Sequence, residues 1–384
     1  MGVQTSALKI GIVGAGVGGL TAAIALRKLG HEVVVFEQAI QFGRVGADIN
    51  LTPNSARALD GLGLAAVLRA SAAFPTHRLS RMWNSGEVTS RIEMQQAAEE
   101  RFGARQYTMH RADLLSALES ALPAGCMRLG KRLTKITEGV CTQLAFADGT
   151  SESVDALVGG DGIHSVVRGH LFGPDQPRFT GNVCFRGVIP IERVRSIPNI
   201  EAFTKWWGPK VAQMIVQFPI SAGREIFVFS TADQENWLDE SWSVPGNVAE
   251  LRRHYADFHP DARALLDALD AVVKQALYDR DPLPTWTRGA ITLLGDACHP
   301  MLPYMAQGAG MAIEDGVVLA RALAGVGKVG VGNIGVPAAL KRSEAARLAR
   351  TARVQRASRA NNWLREGNNG DWLYGYDAWR VPID

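Results

Sequence analysis

Apolar residues fall in short unbroken runs at the start of the chain and alternate with polar ones through its middle. Leu8–Val13 is a continuous apolar run, Leu20–Leu29 has helical spacing and stops at Gly30, and Glu32–Phe36 is rich in Val. Continuous rather than alternating strands suit a parallel sheet buried on both faces, so the opening predicts strand, turn, helix, strand. Ser55–Ala70, after Pro53-Asn54, and Ala112–Leu122 read as helices. Val140–Phe146 and Ser153–Val158 read as strands around the turn Asp148-Gly149.

From Phe179 to Pro284 the pattern changes. Trp206-Trp207, the alternating run Ala212–Phe218 and Ile226–Ser230 predict a largely antiparallel sheet, with helices at Asn247–Phe258 and Pro260–Leu269. The parallel-strand pattern returns at Ala290–Leu294, followed by a Gly-rich turn and a helix over Met311–Ala324. Gly325–Gly335 reads as a loop, Lys341–Asn362 as a basic helix and Trp372–Trp379 as an aromatic tail. The expected organisation is one discontinuous α/β domain from residues 1–178 and 285–330. Residues 179–284 are inserted as a mainly antiparallel β domain, and 331–384 form a C-terminal helix and tail.

Composition narrows the function classes. With 47% hydrophobic and 21% charged residues, the 384-residue chain can bury a large core. Lys+Arg 41 against Asp+Glu 38, with no basic run, speaks against nucleic-acid or membrane-surface partners. No stretch approaches the roughly 20 apolar residues of a membrane span, and Met1–Ala7 lacks the basic opening of a signal peptide. Cys126, Cys141, Cys184 and Cys298 show neither a CxxC pair nor zinc-site spacing. No structural metal is expected, and a reducing, cytoplasmic location is the default.

The first motif is Gly14-x-Gly16-x-x-Gly19 between strand and helix. Its glycines permit a tight turn, close approach of backbone to a pyrophosphate and close helix packing, and the helix N-terminus offers free N–H groups. Glu37 ends the second strand, where a carboxylate can accept ribose hydroxyls or simply be solvated. Val17, Gln38 and Arg44 join the cofactor-binding candidates. This motif leaves the dinucleotide open between NAD and FAD. Two further segments bear on it: Val158–Arg168, containing Gly160-Asp161-Gly162, and Leu294–Pro300, containing Gly295-Asp296, with Gln307–Gly310 behind it. Asp161 and Asp296 are equally residue types of ordinary turns and helix caps.

Together the three segments resemble the signature set of the single-component (class A) FAD-dependent aromatic hydroxylases, over nearly the whole chain. The resemblance is nearest to the branch of 6-hydroxynicotinate 3-monooxygenase and salicylate hydroxylase, through His110-Arg111, Lys205-Trp206-Trp207, Gly295–Pro300, Met305–Gly308 and Trp372–Asp377. It implies a Rossmann-like FAD-binding fold of the glutathione-reductase type with an inserted substrate domain. It also implies NADH or NADPH as reductant and O2 as co-substrate. Gly14, Gly16, Val17, Gly19 and Glu37 would hold the ADP half, Arg111 would reach the FAD, and Asp296 would bond the ribityl chain. Gly308, Ala309 and Gly310 would offer N–H groups to the flavin ring, and Pro303 would face the substrate. The implied reaction hydroxylates an electron-rich, hydroxy- or amino-substituted aromatic or pyridine carboxylic acid through a C4a-hydroperoxyflavin, with or without decarboxylation.

The ring pocket departs from that branch. The chain reads Gly46-Ala47-Asp48-Ile49-Asn50, with Gln213 and Gln217 in place of a His and a Tyr, and Tyr304 in place of a His. Asn50, Gln213 and Gln217 are candidate substrate ligands of uncharged, bidentate type. Tyr304 is the first candidate to polarise a ring hydroxyl, and His299 is either a second one or an orienting residue. The partner expected is a small aromatic molecule, taken by a monomer or homodimer. The alternatives are another flavin reaction on this fold, or an NAD-dependent dehydrogenase. A halogenase is disfavoured because its Trp-x-Trp-x-Ile-Pro signature is absent.

Overall fold

The computed structural model describes residues 7–41, 48–237, 244–327, 335–365 and 370–383. Arg44 lies outside them. Among the described residues a six-stranded sheet has the order Thr287–Arg288, Ile291–Leu293, Ala156–Gly159, Lys9–Val13, Glu32–Phe36, Met127–Arg128. All pairs are parallel except the antiparallel edge strand Thr287–Arg288. The late strand Ile291–Leu293 pairs with Ala156–Gly159, so the first fold is completed after an insertion.

Helices Val17–Lys28 and Gly308–Leu323 pack against each other beside this sheet, and glycines set how closely. A Cβ on Gly18 would come within 2.4 Å of Leu294 Cδ2, and one on Gly316 within 2.8 Å of the Ala22 backbone nitrogen. The segment expected as one helix over Ser55–Ala70 is two, Pro53–Gly61 and Ala65–Ser71, broken where Gly63 turns at φ +85°.

The second sheet has eight strands in the order Val244–Gly246, Val272–Asp279, Arg178–Pro190, Glu225–Asp233, Met214–Ile220, Phe203–Trp207, His77–Met82, Val88–Glu93. It is antiparallel except where Phe203–Trp207 runs parallel to His77–Met82. The expected boundary at residue 178 is therefore too simple. Two strands come from 77–93: the buried His77–Met82 covers the edge that Phe203–Trp207 would otherwise leave open, and the more exposed Val88–Glu93 forms the outer edge. One face of this sheet carries Trp206, Ile215, Ile226 and Val228 against helices Val248–His254 and Pro260–Asp267. The other faces the first domain. The long helix Val336–Ala360 packs on Gly308–Leu323. No described helix is long and apolar enough to cross a membrane.

Candidate active site

Two cavities meet where the first domain faces the second sheet, and Gly16 and Glu37 line both. The smaller, about 300 Å³, is bounded by Gly14, Gly16, Glu37, Gln38, Lys131, Arg132 and Asp161. The larger, about 870 Å³, runs from Ala15 and Arg111 past Asp296, Gly308 and Ala309 to a wall of Phe203, Phe218, Phe227 and Phe229.

The glycine fingerprint is required by geometry. Gly14 sits at φ +101°, and a Cβ there would lie 2.3 Å from the Gly160 carbonyl oxygen; one on Gly19 would lie 2.1 Å from the Gly14 oxygen. A Cβ on Gly16 would meet nothing within 4 Å, so its backbone is open to the cavity. Gly16 is the N-cap of Val17–Lys28 and Gln307 that of Gly308–Leu323, and neither helix has a side-chain cap. Their first N–H groups lack intrahelical partners and carry the positive end of the helix dipole. Helices starting after His110, Ser165, Asn247 and His259 are capped by those side chains instead.

Glu37 accepts N–H bonds from Ala15 and Ala39, both at 2.9 Å, and so braces the turn as well as lining both cavities. Asp296 is exposed between buried neighbours because it lines the larger cavity. Burial pushes its carboxyl up, against the pull of His299 and Arg111. A cavity-lining carboxylate with no donor among the described residues fits a polyhydroxy chain, and Arg111, opening helix Arg111–Ser120, supplies a cation to the same space. Uncapped N–H groups, the open backbone at Gly16 and this carboxylate together fit FAD.

Several candidates fall elsewhere. Asp161 borders the smaller cavity, but its carboxylate accepts from Val166 N (2.7 Å), Val167 N (3.2 Å) and Ser165 Oγ (2.5 Å). It caps the next helix, as its turn-forming residue type allows. Gly310 packs toward Gln307, Ser55 and Asn54 and does not line the cavity that Gly308 and Ala309 border. Pro303 lines the larger cavity, but its carbonyl accepts from Ala306 N at 3.0 Å.

His299 does not reach the cavity. It is 1% exposed, and its Nε2 bonds Asp315 Oδ2 at 2.6 Å. The same oxygen accepts from Gly295 N (3.1 Å), while Asp315 Oδ1 accepts from Arg347 Nε (2.7 Å). Burial would raise the Asp315 carboxyl, but His299 and Arg347 outweigh it and hold it at about 2. Arg347 and Arg350 also bond Glu314, whose Oε1 accepts from Asn54. This buried network, missed in the sequence, pins the turn that carries Asp296. Its signal was two acids, Glu314-Asp315, inside an apolar helix. Cys298, His299 and Asp315 lie close enough to hold a metal ion, but the ion pair to Arg347 already uses the acid, and burial pushes the thiol well up.

At the ring end, Gln217 and Gln213 do not line the cavity. Side chains alternate along a strand, so with Val216 and Phe218 facing inward, Gln217 points to the opposite face, where Trp206 Nε1 donates to it at 3.2 Å. Gln213 precedes the strand and donates to the His254 carbonyl at 2.7 Å. Asn50 does line the cavity; Gln106 donates to its Oδ1, and its Nδ2 has no partner among the described residues. Tyr304 lines it too, with a buried hydroxyl that has no hydrogen-bond partner among the described residues. Burial pushes that phenol above its ordinary value, which favours its protonated form. Sequence reasoning passed over Arg78, Lys205, Arg186 and Gln275 on the same wall.

Fold and site together define a flavin-dependent aromatic monooxygenase, built to hold FAD beside an apolar, ring-sized chamber. The chain belongs to the family described as FAD binding domain, whose model matches residues 7–358. It is 40% identical over 378 residues to 6-hydroxynicotinate 3-monooxygenase of Pseudomonas fluorescens, covering 98% of this chain and 96% of that one. It is 38% identical over 354 residues to a 3-amino-4-hydroxybenzoate 2-monooxygenase of Streptomyces platensis, covering 91% and 87%. Among solved structures, a salicylate hydroxylase substrate complex superposes with a TM-score of 0.83 at 25% identity, covering 97% and 96%. The cofactor is FAD, and the reaction draws on NAD(P)H and O2.

Proposed function

We propose that the protein hydroxylates a small, electron-rich aromatic or pyridine carboxylic acid carrying a ring hydroxyl or amino group. One observation carries this reading: a phenylalanine-walled chamber lined by Tyr304 is continuous with the space in front of the uncapped helix N-termini. Relatives acting on hydroxynicotinate and aminohydroxybenzoate support the substrate class.

When bound, FAD supplies hydride acceptance from NAD(P)H and activation of O2 for transfer of one oxygen atom. The chain's own residues do the rest. Gly308, Ala309 and Gly310 offer N–H groups and a helix dipole that stabilise negative charge developing in front of them. The stacked rings of Phe203 and Phe218, 5.0 Å apart, with Phe227 and Phe229, exclude water and cover the face of an aromatic ligand. The neutral Tyr304 phenol, as a hydrogen-bond donor to the oxygen of the ring hydroxyl, stabilises partial negative charge there and polarises the ring. Asn50 offers its free N–H to a second polar group.

The test is NADH and NADPH oxidation with salicylate, 3- and 4-hydroxybenzoate, aminobenzoates and hydroxypyridine carboxylates, with products identified by mass. One aromatic that stimulates oxidation and gains one oxygen supports the reading; flavin without response to any of them overturns it. A cytoplasmic location is supported by four free cysteines, three of them buried. Light scattering decides between monomer and homodimer.

A further inference from the structure

The chamber has two cationic ends, and they differ in one respect. On one side Arg186 Nη1 lies 3.3 Å from Asp48 Oδ1, so its charge is matched. On the other, Arg78 and Lys205 both line the chamber at 4% and 2% exposure, and among the described residues neither pairs with a carboxylate. Arg78 makes a single long bond, 3.4 Å to the Tyr374 hydroxyl, and lies 4.5 Å over the Phe203 ring. Lys205 Nζ donates to Asn361 Oδ1 at 2.7 Å and to the Tyr304 carbonyl at 3.5 Å, both neutral oxygens. Burial, with Arg78 and Arg365 near, pushes its ammonium well below the ordinary lysine range. Burial and the neighbouring Arg78 both disfavour the charged form of Lys205, and an anionic ligand placed between the two side chains restores it while matching the charge of Arg78.

We propose that Arg78 and Lys205 form the subsite that takes the substrate's carboxylate. This rests on reading the site as that of an aromatic-acid hydroxylase. The strands carrying Lys205 and Arg186 are three positions apart in the sheet, about 14 Å at ordinary strand spacing. The two cationic ends are thus set on separate strands, and of the two only the Arg186 end already has a carboxylate, in Asp48. With the carboxylate at Arg78 and Lys205, the ring lies along Phe203, Phe218 and Phe227 toward Tyr304, which packs against the same phenylalanines. The subsite sets which end of the ring is presented for hydroxylation.

The test is calorimetric binding of salicylate, 3- and 4-hydroxybenzoate and 6-hydroxynicotinate to the flavin-loaded protein, each beside its carboxamide. The wild-type protein is expected to bind at least one acid more tightly than its amide. Arg78→Met and Lys205→Met are each expected to weaken that acid roughly tenfold to a hundredfold, and the amide by no more than about twofold. Arg78→Lys, which keeps the charge, is expected to retain part of the affinity and serves if Arg78→Met fails to fold; flavin content and melting temperature on the same samples decide that. Acid binding unchanged in both Met variants, or acid and amide weakened alike, overturns the subsite and leaves the substrate class standing. A wild-type protein that binds none of the acids overturns both.

Discussion

A buried hydroxyl without a partner costs free energy that native proteins seldom leave unrecovered, so the Tyr304 phenol is best understood as half of a bond that a ligand completes. Tyr304→Phe should then leave the fold intact, with melting temperature unchanged or slightly higher. Hydroxylated product per NAD(P)H consumed should fall roughly tenfold to a hundredfold, the worth of a hydrogen bond to a charged or charging group. Because burial raises the phenol above its ordinary value, it stays protonated through the working range. The variant's hydroxylation rate should therefore keep the wild-type pH profile between about pH 6 and pH 9, and a changed shape would contradict the donor role. Tyr304 was legible in the sequence because it stands out from the family pattern. Gln213 and Gln217 were misread because alternation tells which residues share a face, and nothing local tells which face meets the chamber.

Among elements, the helix Gly308–Leu323 has the most to do, since its N-terminus meets the cavity while Glu314 and Asp315 anchor it to Val336–Ala360. Asp315 also holds Gly295 N and His299, so it positions the turn that presents Asp296. A carboxyl held at about 2 instead of 3.8 contributes about 2 kcal/mol of stability at neutral pH. Since the folded value is the lower one, that contribution is complete above about pH 4 and is lost as the pH falls toward 2. Asp315→Asn should cost about 2 to 4 kcal/mol and lower flavin content, read by thermal unfolding and the ratio of flavin to protein absorbance. An unchanged melting temperature would show that the network does not support the turn. At the other helix, Gly19→Ala forces a methyl onto the Gly14 carbonyl oxygen, and flavin should be lost from otherwise folded protein. Both helices, the fingerprint and the late strand were readable from local pattern; the ionic network was not, because its members lie far apart in the chain.

At the scale of the molecule, the C-terminal segment is joined to both the chamber and the first domain. Leu373 and Tyr374 are buried with Met305, Met311, Trp363 and Leu364, and Met301, which lines the chamber, packs against that cluster. Arg350 donates to the carbonyls of Trp372 and Leu373, Arg321 to that of Ala378, and Trp379 Nε1 to that of Ala58. The sequence showed an aromatic tail but not its destination, since docking depends on surfaces made by residues hundreds of positions earlier. A fully buried Leu or aromatic side chain contributes roughly 1.5 to 3 kcal/mol, so deletion from residue 370 onward removes at least about 3 kcal/mol before the hydrogen bonds are counted. For a chain of 384 residues a loss of about 3 kcal/mol lowers the melting temperature by about 4 °C, and more once the hydrogen bonds are included. Because Tyr374 also bonds Arg78, the same deletion should weaken binding of an aromatic acid more than it weakens flavin binding, and calorimetry on the flavin-loaded protein separates the two. A deleted protein with its melting temperature and acid affinity intact would mean that the segment merely lies on the surface, contrary to the burial of Leu373 and Tyr374.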